Sequence, residues 1–319
     1  MKCEFLNPEI KPCVSYLAGG WCSLPHQFRC VEYVKRVNPA MSHSAMKDYC
    51  TCRRKYYLGY IQGIERVKMP LPIVLGDIVS QCLDVIHEGK DIRINSIINA
   101  YEMAYSWMDE VPDSLIILRG FMEAYQKLPV SEERGVTQYE WKVNDLDGVS
   151  VHGFMDMAVI PSGGGKGGYG YEFKYTGKPS SYTKFTLMDQ LGLYFMGTSL
   201  ERITVRCLQV PQLRKGKKEA DIEFKKRVTN DVLSRPKHYV IDTNYWRNEF
   251  DLDGIKRRVN VIGKEIGCLL SQGKDAFYMT GDRGPCFDCW FLDICSTGVI
   301  SDTLYKKRER RVDERTNKL

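Results

Sequence analysis

The spacing of apolar residues changes several times along this chain, and each change marks an element. Residues 1–40 keep no period, because Pro8, Pro12, Gly19, Gly20, Pro25 and Pro39 interrupt every short apolar run; a small loop-rich module is expected there. From Ser42 onward Met46, Tyr49, Cys50, Arg53, Tyr56, Tyr57 and Tyr60 recur at three- and four-residue steps. That spacing predicts a helix over 43–60, with Ser42 or Ser44 at its N-cap. Similar spacing predicts helices over 75–88, 95–108 (Ile97, Ile98, Tyr101, Ala104, Tyr105) and 113–127 (Leu115, Leu118, Phe121, Met122, Tyr125). The period then drops to two. Residues 136–144 alternate, Asp147-Gly148 is a hairpin signal, and 149–160 read as the return strand. Beyond the glycine-rich segment 161–168, a strand is expected at 169–176, a helix at 181–199, strands at 202–210, 221–228 and 237–243, and a helix at 251–272.

This order predicts an α/β (α+β) fold, a mixed β-sheet core flanked by helices, with a helical insertion and a small Cys-rich N-terminal module. The expected division is a module over 1–40, a main domain over 41–300 and a charged C-terminal tail over 301–319. The segment Gly163-Gly164-Gly165-Lys166 lacks the Lys-Ser/Thr ending of a phosphate-binding loop and joins two strands, so it reads as a hairpin loop.

Composition narrows the function classes. With 319 residues, 43% hydrophobic and 27% charged, the chain can bury a real core and is not globally disordered. No run approaches roughly 18 apolar residues, so no membrane span is expected, and the first residues lack the apolar core of a secretory signal. A cytoplasmic location follows as the expectation, in the host if the protein is viral. Twelve cysteines in a reducing compartment then suggest buried small hydrophobes or metal ligands rather than disulfides. Net charge is only +6, yet basic residues cluster in Arg53-Arg54-Lys55, Arg214-Lys215-Gly216-Lys217-Lys218, Lys225-Lys226-Arg227, Lys256-Arg257-Arg258 and Lys306-Lys307-Arg308. Each run alone is a solvated helix face; five together suit a polyanionic partner.

Candidate chemistry centres on Tyr171-Glu172-Phe173-Lys174-Tyr175. In a strand Tyr171, Phe173 and Tyr175 share one face, toward a core, and Glu172 and Lys174 share the other. The preceding strand, Gly153-Phe154-Met155-Asp156, would bring Asp156 beside them. Two carboxylates are hard oxygen ligands for magnesium or manganese, and a lysine can orient water or offset charge on a phosphate. Glu-x-Lys alone is common on solvent-facing strands; its surroundings give it weight.

In those surroundings the chain resembles the PD-(D/E)xK nuclease superfamily, in its RecB-like branch. The pattern is most similar to that of the iron–sulfur nucleases, which include the CRISPR-associated exonucleases and the AddB nuclease domain. The resemblance rests on Ser42-x-Ser44 through Tyr49-x-x-Cys52-Arg53-Arg54-Lys55-Tyr56, Gly153-x-x-Asp156, Glu172-x-Lys174, Gln190-x-x-x-Tyr194 and Cys286-x2-Cys289-x5-Cys295, in the family's order over 42–296. It implies a restriction-endonuclease-like fold. It also implies magnesium or manganese held by Asp156, Glu172 and the Phe173 carbonyl, with Lys174 assisting the attacking water. Gln190 and Tyr194 would stand beside the metal site, contacting substrate phosphate or the lysine. The family usually carries a metal-binding histidine in a Gly-x-x-x-His helix; here Gly76-Asp77-Ile78-Val79-Ser80 has serine instead. His87, seven residues on, could substitute or be structural.

The resemblance further implies a 4Fe-4S cluster on Cys52, Cys286, Cys289 and Cys295, with zinc in the same thiolates as the rival and Cys50 as competitor for the first place. Cys3, Cys13, Cys22 and Cys30, with His26, could hold a structural zinc that a short Pro- and Gly-rich module would need, or could be packed thiols. Cys82, Cys207 and Cys268 read as core residues. The expectation is a metal-dependent DNA nuclease, acting as an exonuclease on single strands, with recombination, replication or CRISPR proteins as further partners. The alternative is a weak or inactive nucleic-acid-binding adaptor that keeps the fold.

Overall fold

The structure is a computed structural model of the chain, describing residues 16–17, 21–22, 41–89, 94–104, 111–146, 149–161, 167–281 and 283–308. In chain order the strands and helices begin with β1 (Tyr16–Leu17), β2 (Trp21–Cys22), α1 (His43–Thr51), α2 (Arg53–Tyr56), β3 (Ile64–Arg66), α3 (Leu71–Glu88), α4 (Ile94–Ala104) and α5 (Val111–Tyr125). There follow β4 (Val136–Leu146), β5 (Val149–Val159), β6 (Tyr169–Thr176), α6 (Lys184–Gly197), β7 (Arg202–Gln209), α7 (Asp221–Ser234), α8 (Pro236–Tyr239) and β8 (Val240–Trp246). The last are α9 (Leu252–Gln272), α10 (Arg283–Phe287), α11 (Leu292–Thr297) and β9 (Tyr305–Lys307). The chain divides into two compact units, one of residues 69–143 and 152–255, the other of 1–68, 144–151 and 256–319.

A five-stranded mixed sheet runs β4-β5-β6-β7-β8. Strands β6 and β7 are parallel in register from Tyr169↔Arg202 to Thr176↔Gln209, while β5/β6 and β7/β8 are antiparallel. Parallel neighbours need a crossover, which α6 supplies. This is the expected mixed sheet flanked by helices, a restriction-endonuclease-like fold. Helix α3 buries Val74, Ile78, Val79, Cys82, Leu83, Ile86 and His87, one face at three- and four-residue steps. That face packs with Ile94 and Ile98 of α4, with Leu118, Phe121, Met122 and Tyr125 of α5, and against Phe173 and Tyr175 of β6. Each buried side chain of this kind contributes about 1.5–3 kcal/mol. Gly89 ends α3 at φ 68°, a left-handed cap that glycine takes without strain.

The strand expected at 221–228 is helix α7. Phe224, Val228, Thr229 and Val232 are buried at helical spacing, and Glu223 reaches back to the Ala220 N–H at the helix start. Tertiary packing decides it: Gly120 of α5 has no side chain, a Cβ there would sit 2.8 Å from the Lys225 carbonyl, and Thr229 Oγ1 donates to the Gly120 carbonyl at 3.1 Å.

In the second unit Ser42 caps α1, its Oγ accepting from the Ala45 N–H at 3.2 Å. The helix expected over 43–60 is broken at Cys52, which is extended (φ −161°, ψ 117°); α2 and a turn of π-helix (Tyr57–Ile61) follow. Tyr305–Lys307, expected in the charged tail, pairs antiparallel with Ile64–Arg66, because Tyr305 is an apolar anchor beside Leu58, Ile64, Phe291 and Ile294. Of the expected N-terminal module, β1 and β2 pair through Tyr16↔Cys22 and Leu17↔Trp21. Cys3, Cys13, His26 and Cys30, and the side chain of Cys22, lie outside the described residues. Among the described residues no helix is long and apolar enough to cross a membrane.

Candidate active site

The alternation of β6 produces the division of faces that its sequence predicts. Tyr171 is 3% exposed, and Phe173 and Tyr175 pack on the helical core. Glu172, on the opposite face, is 4% exposed and accepts three hydrogen bonds. Its Oε1 accepts from Lys174 Nζ and from Gln190 Nε2 at 2.7 Å, and its Oε2 accepts from the Tyr194 hydroxyl at 2.8 Å. Gln190 also donates to the Tyr194 hydroxyl at 2.8 Å, the one-turn spacing on α6 that puts both on one face. A carboxylate offers about four acceptor positions, so Glu172 retains one.

Asp156 reaches this group because β5 and β6 part. Their ladder covers Met157–Val159 against Tyr169–Tyr171. Just beyond it the Phe173 N–H donates instead to Asp156 Oδ2 at 2.6 Å. Gly153, three residues earlier, lies under Trp141: a Cβ there would fall 2.7 Å from the indole, so the Gly-x-x-Asp spacing has a steric reason.

Glu172 acts on the protonation of both Asp156 and Lys174. Burial, and then the negative charge of Glu172, push the Asp156 carboxyl well above the usual carboxylate range, with Asp84 adding in the same direction. Burial alone would lower the Lys174 ammonium, but Glu172 and Asp156 outweigh it and hold its proton more firmly than usual. The Tyr194 phenol is raised by burial and by both carboxylates, so it is a hydrogen-bond donor and not an anion.

A cavity of about 180 Å³ opens here, lined by Ser80, Asp156, Lys174 and Tyr182 together with parts of α3 and β6. Ser80, where the family usually has histidine, therefore faces the site. His87 does not join it. Seven residues along a helix is a rise of roughly 10 Å, so the face is shared but the height is not. His87 is fully buried, with Nδ1 2.8 Å from the Glu133 carbonyl, Nε2 3.1 Å from the Tyr125 hydroxyl, and its ring stacked on Phe173 at 5.2 Å. Burial lowers its pKa, favouring the neutral ring.

Sequence reasoning missed three residues at this site: Asp84, Gln138 and Tyr182. Asp84 is one turn beyond Ser80, a spacing that could have flagged it. Gln138 could not have been found, since nothing local marks a strand residue as left-handed; it has φ 47°. Tyr182 lies 5.8 Å under the Lys174 ammonium.

A family model for the PD-(D/E)XK nuclease superfamily matches residues 40–296. The chain belongs to the PD-(D/E)XK nuclease superfamily. At that level it is a metal-dependent nuclease. No curated protein matches the chain. The crystal structure of SSO0001 aligns with 14% identity and a TM-score of 0.31, over 73% of this chain and 98% of that one, a likeness too low to carry an argument.

Among the described residues of this superfamily member, no three of His, Cys, Asp and Glu stand close enough to hold a metal ion as they are arranged. Cys52, Cys286, Cys289 and Cys295, the expected cluster ligands, lie within electrostatic reach of one another without forming such a group. Cys289 and Cys295 are each raised by burial; a hydrogen bond from the Phe291 backbone and the charge of Lys55 oppose this at Cys289, the charge of Cys289 adds to it at Cys295, and Cys52 and Cys286 add smaller contributions to both. Burial pushes the Cys52 thiol up, but hydrogen bonds from Lys55, Thr280 and Arg54 outweigh it and bring the thiol below its ordinary value. Cys52 is buried and Cys50 exposed. Cys82 and Cys207 are buried core residues, as expected, and Cys268 is half-buried.

The basic runs are less available than their sequence suggests. Arg53 pairs with Glu265, Lys55 with Asp48, Lys215 with Asp221, Lys225 with Glu123, Arg227 with Glu219, and Lys306 and Arg308 with Glu65.

The opposite face of the sheet carries a buried ion cluster. Arg206, 1% exposed, donates to Asp242 through two nitrogens (2.8 and 2.7 Å), to Glu133 at 2.8 Å and to the Tyr125 hydroxyl at 3.3 Å. It also lies over the Tyr171 ring at 4.8 Å.

Proposed function

We propose that this chain is a RecB-like DNA nuclease that hydrolyses phosphodiester bonds with magnesium or manganese, acts as an exonuclease on single strands, and holds a 4Fe-4S cluster on Cys52, Cys286, Cys289 and Cys295. The observation that carries the reading is the meeting of Asp156, Glu172 and Lys174 where β5 and β6 part, beside the cavity that Asp156 and Lys174 line.

A divalent cation suits this donor set. Asp156 is raised because its charge is crowded by protein and by Glu172, the situation that a bound cation relieves. Asp156, Glu172 and the Phe173 carbonyl would hold it. When bound, the cation lowers the pKa of a water and offsets charge on a phosphate oxygen. Gln190 and Tyr194 orient Glu172 through its two oxygens. Lys174 keeps its proton and donates to the attacking water or to a phosphate oxygen, where negative charge grows. The cavity of about 180 Å³ has the volume of about six waters, the scale of a phosphate with its solvation. Phe185, 84% exposed in the first turn of α6, offers a stacking surface for an unpaired base, which supports a single strand as substrate.

The thiolate-favouring setting of Cys52, with Cys286, Cys289 and Cys295 within electrostatic reach of one another and of it, supports the cluster, since a thiolate is the liganding form. The zinc module on Cys3, Cys13, Cys22 and Cys30 stands as a separate proposal, tested by metal content. Ser80 in the histidine position favours a second reading, a DNA-binding adaptor with little cleavage.

The test is digestion of end-labelled single- and double-stranded DNA with magnesium or manganese, using anaerobically prepared protein assayed for iron, sulfide and zinc. Shortening of the single strand that Glu172→Ala and Lys174→Ala abolish supports the nuclease. Full cleavage by either variant refutes this site, and salt-dependent binding without product favours the adaptor.

A further inference from the structure

The face of the sheet opposite Glu172 carries polar groups that the cleavage site does not use. Strand register sets Tyr169 of β6, Arg202 of β7 and Trp246 of β8 side by side in one row. The Arg202 guanidinium lies 4.7 Å from the centre of the Tyr169 ring and 5.9 Å from that of Trp246. Two rows along the same face, Arg206 meets Asp242 and Glu133. Arg202 has no such partner: among the described residues no carboxylate pairs with it, and its Nε is buried without an acceptor. It also lies outside the basic runs, where several charges are already paired. Aromatic contact covers the faces of a guanidinium and leaves its planar edge, which fits a phosphate through two parallel N–H groups. Trp246 is 48% exposed on the edge strand β8 and borders an open hollow of about 720 Å³, room for a base against the indole. Glu201, Asp251 and Asp253 on the walls of the hollow disfavour a phosphate there and leave Arg202 as the phosphate end. In the neighbouring row Thr204 donates to the side-chain oxygen of Asn244 at 2.7 Å, so the exposed Asn244 keeps its amide N–H groups for another acceptor.

We propose that Tyr169, Arg202, Asn244 and Trp246 form a second contact for single-stranded DNA, with a phosphate on Arg202 and a base stacked on Trp246. Tyr169 precedes Glu172 by three residues, roughly 10 Å along β6, and faces the other way, so the nucleotide held here is not the one cleaved. The inference deepens the single-strand reading above by naming where the strand is held away from the cavity, but the contact itself needs neither metal nor cleavage. An acidic peptide would satisfy Arg202 yet leave the exposed indole without a flat partner; a nucleotide supplies both the phosphate and the ring.

The experiment titrates the full chain with a fluorescein-labelled oligodeoxyadenylate in chelator, following anisotropy and tryptophan fluorescence at several salt concentrations. The proteins are wild type, Arg202→Gln, Trp246→Leu and Asn244→Asp, each with its thermal midpoint. Asn244→Asp keeps the Thr204 acceptor at an exposed position and adds a carboxylate beside Arg202, so it tests the charge without disturbing the fold. Arg202→Gln should weaken binding by about tenfold and reduce the slope of log affinity against log salt by about 0.7, the value of one phosphate contact on a single strand. Asn244→Asp should weaken binding in the same direction. Trp246→Leu should keep the wild-type slope, lose about tenfold in affinity and lose the quenching that the oligonucleotide produces in wild type. Wild-type affinity and slope in Arg202→Gln and Asn244→Asp overturn the inference, as does a wild type that binds no oligonucleotide. Equal binding of an oligoglutamate peptide, lost in Arg202→Gln, overturns the assignment to nucleic acid. Digestion of the same oligonucleotide with added manganese is scored apart from binding. Cleavage with unaltered binding in the variants leaves the nuclease reading standing without this contact, and Arg202-dependent binding without cleavage leaves the contact standing without the nuclease.

Discussion

Replacing Asp156 by asparagine should stabilise the metal-free protein while destroying its function. The Phe173 N–H needs an acceptor, and an asparagine oxygen can occupy the place of the Oδ2 that now lies 2.6 Å away, so that bond survives. What disappears is a crowded negative charge beside Glu172. Because the folded carboxyl titrates above the unfolded one, the folded protein holds a proton that the unfolded chain has lost. Stability without metal therefore falls as pH rises from about 4 up to the folded pKa, and it is flat above. Each pH unit of that displacement is worth about 1.4 kcal/mol. The resulting gain in Asp156→Asn at pH 7 would raise the midpoint by about 2–4 °C for each kcal/mol in a domain of this size. Thermal unfolding in chelator at pH 4, 7 and 9 checks this: the variant should match wild type at pH 4 and exceed it at pH 7. Manganese at a hundredfold excess over its dissociation constant should stabilise wild type by about 2.7 kcal/mol and the variant hardly at all. A variant less stable than wild type at pH 7 in chelator, or equally stabilised by manganese, would refute the electrostatic account of the site.

Three further outcomes follow from the geometry. Asp242→Ala should cost about 3 kcal/mol by chemical denaturation, because it strips the main partner from a guanidinium that is 1% exposed; Arg206→Met should cost less, about 1–2 kcal/mol, since Glu133 and Asp242 are 32% and 36% exposed and can be hydrated. The reverse order would contradict the burial argument. His87→Ala should lose stability yet keep wild-type Mn2+ affinity, because both ring nitrogens serve Glu133 and Tyr125. In wild type its lowered pKa also means that the stability it contributes is present above about pH 6.5 and is lost as pH falls toward the folded value. Iron and sulfide content should fall in Cys52→Ser and stay unchanged in Cys50→Ser, given one buried and one exposed thiol; equal loss in both would remove Cys52 from the proposed cluster.

Much of the fold was legible because its signals are local. The two-residue alternation of 169–176 and the turn signal at 147–148 belong to neighbouring residues, and the strands lie where those patterns put them. Residues 221–234 misled because their helical face is recognised only by what it meets, the bare Gly120 of α5. Cys52 misled in a related way: a run with unbroken helical period is interrupted at a residue whose thiol takes hydrogen bonds from Lys55 and Thr280.

At the site itself, the sequence alone determined which face of β6 carries Glu172 and Lys174, that Gln190 and Tyr194 share a helix face, and that Asp156 belongs to the preceding strand. Period and spacing suffice for those, since a strand alternates and a helix repeats wherever it is placed. Only the tertiary structure decided what comes to that face from a distance. It separated His87 from the site, because helical periodicity carries a direction but says nothing of height against the sheet. It brought in Gln138 in a left-handed conformation to hold Asp84, two residues 54 apart in the chain, because the partner of a carboxylate is chosen by packing between elements and leaves no mark on the residues beside it.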